Sequence, residues 1–281
     1  MPTFETPDPI SATVDVVHGD VRITAGDRGV TVVNVEPSHP GSDEDRKAAA
    51  QTRIEYAGGR LLVKTQRLRS WLPRSTGGSV DMTIELPAGS QLRGSGGLAD
   101  FRCEGRLGEC RLRLGLGRID VESAEAPTLK SGSGDIVVDR ATGHADIAAG
   151  SGDVRVRELA GTGVIKNSNG DIWVGAAHGD LRVSAANGDV AIDVADATVT
   201  SKSANGSVRV GEAVRGAIVL ETAHGDLEVG IREGTSAYLD VRTVAGRVRN
   251  ALEAADAPDP SGETVEVRAH TTVGDVVIHH A

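Results

Sequence analysis

The sequence predicts an all-β chain: a single-domain β-solenoid with about eighteen residues per coil and two short strands in each coil. Three observations carry this. From Gly132 to Glu212 the chain divides into nines with glycine at the third place, at Gly134, Gly143, Gly152, Gly161, Gly170, Gly179, Gly188 and Gly206, Ala197 being the exception. Each turn is usually followed by an alternating run such as Val154-Arg155-Val156, the two-residue period of a strand with one buried face. Alternate nines resemble one another more than neighbours do: one series runs GSGDI, GSGDV, SNGDI, ANGDV, ANGSV, the other ATGHA, LAGTG, AHGDL, ADATV.

The repeat is therefore eighteen residues with two unequal sides, which is what stacked coils require. A meander of antiparallel hairpins would also turn every nine residues, but it must close or cover its edges. In the solenoid, coils lie ~4.8 Å apart. One inward column is Ile136/Val138, Val154/Val156, Ile172/Val174, Val190/Ile192 and Val208/Val210; the other is Ala145/Ile147, Leu181/Val183, Val199 and Ile218/Leu220. The expected core is thin and aliphatic, with no room for rings, in keeping with an aromatic content of 2%.

The elements follow in order. Residues 10–35 read as two strands and contain the first His18-Gly19-Asp20. Pro37 to Gly41 breaks the second strand. Ser42 then caps a short helix with acids in its first turn and Ala48 to Ala50 to propagate it, expected to cover an exposed end or edge. Thr52–Tyr56 and Arg60–Thr65 are joined by Gly58-Gly59, a hairpin signal. Residues 68–78 form a loop with Trp71 and Leu72 either buried beneath it or exposed. The strand VDMTIELP leads into the coils. The domain accordingly comprises N-terminal strands, a capping helix and irregular coils over 1–95, repeat coils over 96–249 (most regular over 132–212), and a surface excursion with C-terminal strands over 250–281.

Composition narrows the function. The chain has 281 residues, 36 of them glycine, and a net charge of −10. That charge argues against a nucleic-acid partner, which needs clustered Lys and Arg. MPTFETPDPI has no apolar signal region, and no run approaches the ~18 apolar residues of a membrane span. A cytoplasmic location without an integral membrane segment is expected. Cys103 and Cys110 are too few for a disulfide framework and are expected as reduced, partly buried thiols that could approach one another from adjacent strands.

The lead-in VDMTIELPAGSQL and the succession SGSGDI, GSGDV, NSNGDI, ANGDV, ANGSV, HGDLEV resemble the putative-adhesin family of unknown function, also called toastrack domains. The resemblance covers the chain from about Val14 to its end. It implies a bacterial stacked-strand solenoid without known catalytic residues and, for some relatives, a link to cell-envelope stress systems.

The motif could still carry chemistry. At eighteen residues per coil Asp135, Asp153, Asp171 and Asp189 form a column, with Arg118 before it and Ser207, Asp226 and Arg247 after it. Like charges ~5 Å apart repel by about 1 kcal/mol even in a water-like dielectric. Either calcium offsets this, or each Asp accepts turn N–H groups as an Asx-type cap. The second reading is preferred and calcium is not expected, because Asp follows Gly directly here rather than two residues later. Gly134, Gly152, Gly170, Gly188, Gly206 and Gly225, with the aspartates, are thus read as a structural turn motif. Ser133, Ser151, Asn169, Asn187, Asn205 and His224 form a second column that can bond along the stack. His18, His178 and His224 each precede Gly-Asp, where turn chemistry outweighs acid/base work.

No catalytic residue, cofactor or metal site is implied. Trp173 points outward by alternation, flanked one coil away by Arg155 and Ala191, and could anchor a partner or pack beneath a loop. The functional expectation is a non-catalytic scaffold or interaction module that binds a protein partner or another copy. The alternative is a polysaccharide-active enzyme on a β-helix, which would need paired carboxylates and sugar-stacking rings.

Overall fold

The computed structural model describes residues 1–66, 78–252 and 263–281. Trp71 and Leu72, and most of the excursion after Asn250, lie outside the described residues. The chain divides into two compact units, Met1–Val137 and Val138–Ala281.

The first unit contains β1 (Thr3–Glu5), β2 (Ser11–Gly26), β3 (Val30–Pro37), α1 (Asp43–Ala50), β4 (Arg53–Ala57), β5 (Arg60–Lys64), β6 (Val80–Pro87), β7 (Gln91–Leu116) and β8 (Ile119–Ser133). Strand β2 is the axis of this unit. It pairs in parallel with β5 and β6 along one side, Ser11 opposite Arg60 and Gly19 opposite Val80, and with β7 along the other, Ser11 opposite Gln91. Strands β1 and β6 flank β3 in antiparallel register, and β4 and β5 form the expected hairpin through left-handed Gly58 and Gly59.

The helix begins where its cap places it. The Ser42 hydroxyl accepts the Asp45 N–H at 3.2 Å, with Asp43, Glu44 and Asp45 in the first turn, where the helix dipole favours acids. It packs against β3 and β6. Asp45 fixes it there, its carboxylate accepting the Ser79 and His39 N–H groups at 3.0 and 3.1 Å. Those bonds, the Ser79 one foremost, hold the Asp45 carboxyl below its ordinary range.

The irregular spacing before the main repeat has a specific cause. Strands β7 and β8 pair eighteen residues apart at Phe101 and Ile119 but seventeen apart from Arg106 and Ser123 onward. The slip is a β-bulge at Glu104-Gly105, where Gly105 is left-handed (φ 80°) and its N–H donates to the Glu122 carboxylate at 2.7 Å.

β9 (Ile136–Ala141) spans the division between the units. The second unit continues with β10 (Ala145–Ser151), β11 (Val154–Leu159), β12 (Gly163–Asn169), β13 (Ile172–Ala177), β14 (Leu181–Asn187), β15 (Val190–Ala195), β16 (Val199–Asn205), β17 (Val208–Ala213), β18 (Gly216–His224), β19 (Leu227–Ile231), β20 (Ser236–Ala245), β21 (Val248–Asn250), β22 (Thr264–Val273) and β23 (Val276–His280). Its ladders are parallel. Val154, Ile172, Val190 and Val208 align at eighteen-residue steps on one side, and Gly163, Leu181 and Val199 on the other. The step becomes nineteen at Val208 to Leu227, where AVRGAIVLET adds a residue. The β-solenoid reading holds in detail. The coil that starts at Ile172 buries Ile172, Val174, Leu181 and Val183, each stabilising by ~1.5–3 kcal/mol relative to exposure.

Two expectations need correction. The coils are not stacked in chain order at the C-terminal end. Strand β22 lies between β18 and β20, and β23 between β19 and β21. The aspartate column therefore runs Asp226, Asp275, Arg247, not Asp226, Arg247. Burial explains the order: Val265, Val267, Ala269, Val276 and Ile278 are fully buried, while residues 236–250 carry fewer inward aliphatics and take the outer place. Among the described residues the core also admits one ring. Phe101 is buried because Gly94 and Gly96 leave room beside it; a Cβ on Gly94 would meet the ring at 2.7 Å.

Among the described residues no helix is long and apolar enough to cross a membrane.

Candidate functional site

The repeated turn is the first candidate, and its chemistry is consumed internally. Gly152, Gly170, Gly188, Gly206 and Gly225 all have φ between 121° and 145°. A Cβ on Gly188 would also stand 2.1 Å from the Gly170 carbonyl oxygen, so both conformation and stacking demand glycine. Gly134 shares that conformation, with φ 130°, and the main-chain carbonyl of Asp135 accepts the Ile119 N–H at 2.9 Å.

From Asp153 onward the aspartates reach along the stack. Asp153 accepts the Asp171 N–H at 3.1 Å, Asp171 that of Asp189 at 2.9 Å, and Asp189 that of Ser207 at 2.8 Å. Ser207 accepts from Asp226, Asp226 from Asp275 and Asp275 from Arg247. In each of these bonds the next coil supplies the donor. Among the described residues no group of three or more His, Cys, Asp or Glu side chains is placed to hold a metal ion.

The asparagine column is a bonded ladder. Asn187 donates to the Asn169 side-chain oxygen at 3.0 Å, and Asn205 donates to that of Asn187 at 3.0 Å. A third set was missed from sequence. Three places before the turn glycine, inward Ser131, Asn167, Thr222, Thr271 and Thr243 each donate to a turn glycine carbonyl, of Gly117, Gly152, Gly206, Gly225 and Gly274 respectively. The signal was present as Ser, Thr or Asn at a fixed offset in an otherwise aliphatic column. Ala149 and Ala185 at the same place hid it.

The second candidate is the outward face of β11, β13, β15 and β17. Arg155, Trp173, Ala191 and Arg209 stand in one register there. The indole is half-buried. Its Nε1–H donates to the Asp193 carboxylate of the next coil at 3.1 Å, and a Cβ on Gly175 would come within 3.2 Å of the ring. Arg155 pairs with Asp153 at 2.8 Å, and Arg209 with Glu228 at 3.5 Å. A shallow depression of about 330 Å³ beside the ring is lined by Asp153, Arg155, Asp171, Trp173, Asp189 and Ala191.

His178 stands 3.5 Å from Asp196 of the following coil. Cys103 and Cys110 lie on the single strand β7, not on adjacent strands, and both are free and fully buried rather than partly so. The bond to Cys110, then burial, holds the Cys103 thiol far above its ordinary value and therefore protonated. In the first unit the register sets Asp20 between Asp81 and Asp100. Burial first, then those two charges, raises the Asp20 carboxyl.

Three solved structures are similar over almost the whole chain. A putative adhesin from Parabacteroides distasonis is 14% identical, covers 98% of this chain and 95% of its own, and has a TM-score of 0.33. A putative adhesin from Bacteroides fragilis is 11% identical, with 99% and 95% covered and a TM-score of 0.32. A putative cell adhesion protein from Clostridium sporogenes is 10% identical, with 100% and 98% covered and a TM-score of 0.21. A search of curated proteins finds no match. The profile of one family, described as Toastrack DUF4097, matches residues 11–216. With its eighteen-residue parallel coils and glycine-aspartate turns, the chain belongs to that family of toastrack domains.

Proposed function

We propose that this protein is a non-catalytic interaction module that captures a protein partner on the outward face of β11, β13, β15 and β17, anchored by Trp173 and Arg155. The carrying observation is the half-buried indole, held in place by Asp193 between Arg155 and Ala191 on a flat parallel face. Trp and Arg are the residues that most often dominate binding energy, and an anchor already fixed in the free protein loses little freedom on docking. The toastrack family supports this reading, and the resemblance extends it to a bacterial cell-envelope stress system. A polysaccharide-active enzyme would need two carboxylates free to act beside the ring. Of those beside Trp173, Asp193 accepts the indole N–H, and Asp153, Asp171 and Asp189 each accept a backbone N–H of the next coil.

The test is affinity capture from the native host with the wild-type chain, Trp173→Ala and Arg155→Ala. The expected result is a partner retained by the wild type and weakened about tenfold or more by Trp173→Ala, with the far-ultraviolet spectrum unchanged. Undiminished capture by both variants removes this face.

A further inference from the structure

The outermost coil of the second unit carries an edge of unusual composition. Strand β20 pairs with β22 along one side, and among the described residues no strand pairs with its other side. Edge strands are normally blunted by lysine, proline or inward charge. Strand β20, SAYLDVRTVA, has neither lysine nor proline, and its charges, Asp240 and Arg242, cancel. Tyr238 is 59% exposed and Val244 83%, with Leu239 and Val248 also exposed on the same coil. A strand of that kind is a template for another strand.

The order of its side chains says which strand fits. Tyr238, Asp240, Arg242 and Val244 share one face, because side chains alternate along a strand. If a second β20 is laid antiparallel across a two-fold axis at Val241, Asp240 falls opposite Arg242 of the second copy, and Arg242 opposite its Asp240. Tyr238 falls opposite Val244, and Val244 opposite Tyr238. Directly opposed pairs of opposite charge, and of aromatic with β-branched residues, are the favourable ones across antiparallel strands. Centring the axis one residue earlier opposes the two Asp240 side chains; one residue later opposes the two Arg242 side chains. The sequence is thus complementary to itself in one register and penalises its neighbours, as an isologous contact requires.

We infer that β20 is a self-association edge, through which two copies of this chain join antiparallel about a two-fold axis at Val241. The inference rests on reading the chain as an interaction module but is independent of the Trp173 face. Such a contact uses the same edge of both copies and so closes at a dimer.

The experiment is analytical ultracentrifugation of the full chain over a wide concentration range, with Arg242→Asp, Asp240→Arg, Val244→Lys and Trp173→Ala; thermal melts check that each variant folds. The wild type and Trp173→Ala are expected to dimerise alike. Arg242→Asp and Asp240→Arg alone each oppose like charges twice and should weaken the dimer about tenfold or more. An equimolar mixture of these two restores both opposite-charge pairs and should dimerise again, whereas Val244→Lys remains weakened. A wild type that stays monomeric, a dimer indifferent to the charge changes, a dimer lost in Trp173→Ala, or assembly that grows beyond two copies overturns the inference. A monomeric wild type whose partner capture still depends on Trp173 would leave the proposed function standing.

Discussion

The carboxylate of Asp171 accepts the backbone N–H of Asp189, eighteen residues later, at 2.9 Å. The same bond recurs from Asp153, Asp189, Asp226 and Asp275, so one side chain fixes the turn of the neighbouring coil.

That relation separates hydrogen bonding from charge. Asp171→Ala removes the acceptor and should cost about 0.5–1.5 kcal/mol. Asp171→Asn keeps an acceptor while removing a like charge from the column, so its melting temperature should match or exceed the wild type. The chelator and calcium melts of the wild type should superimpose. Differential scanning calorimetry of the three proteins, with and without calcium, reads all of this.

Gly188→Ala should be far more damaging than an ordinary turn substitution. It places a side chain at φ 131°, and its Cβ would stand 2.1 Å from the Gly170 oxygen. Left-handed backbone alone costs about 1–2 kcal/mol for such a residue, and the clash must also push neighbouring coils away from each other. A loss of about 3 kcal/mol or more is expected by urea denaturation. Gly234→Ala, where nothing lies within 4 Å, should show only the backbone cost.

The asparagine ladder should reject charge. Asn187→Asp removes the amide that donates to Asn169 while leaving an acceptor for Asn205. It should lower the melting point at pH 7 more than at pH 3, where the new carboxyl is mostly protonated. Equal losses at both pH values would show that the charge does not matter.

Two carboxylates of the first unit predict opposite responses to acid. Asp45 is lowered in the fold, so its contribution is present above its unfolded value and is lost as pH falls below about 4 through the folded one. Asp20 is raised, so its ionised form opposes folding at neutral pH, and that opposition disappears as pH drops below its unfolded value. Asp20→Asn should therefore raise the melting temperature at pH 7 and have little effect near pH 3. Asp45→Asn should lower it at pH 7 and likewise lose its effect in acid. Melting temperature followed against pH for both variants is the measurement.

The thiols should be silent in the native protein. Cys103 and Cys110 are 2% and 0% exposed, and Cys103 is held protonated. Neither should react with a small alkylating reagent on the timescale of a model thiol, and both should react in denaturant. Intact-mass spectrometry after timed labelling counts them.

The sequence by itself determined the coil. Turn glycines and alternating aliphatics repeat locally, and eighteen-residue periodicity leaves one way to stack Val154, Ile172, Val190 and Val208. It also determined the cap at Ser42, because the helix start is written within four residues. Tertiary structure decided what depends on partners distant in the chain. The insertion of β22 between β18 and β20 follows from competition for burial between two coils that both carry the motif, and a local repeat cannot rank them. The bulge at Gly105, the space that Gly94 and Gly96 leave for Phe101, and the row of hydroxyls and Asn167 bonded to turn carbonyls likewise require knowing which coil lies next. The face around Trp173 stands between the two: alternation turned the ring outward, but only the stacked register brought Asp193 to its nitrogen. A repeat encodes the contacts each unit makes with its copies, whereas its ends and exceptions are set by whatever else the folded chain places beside them.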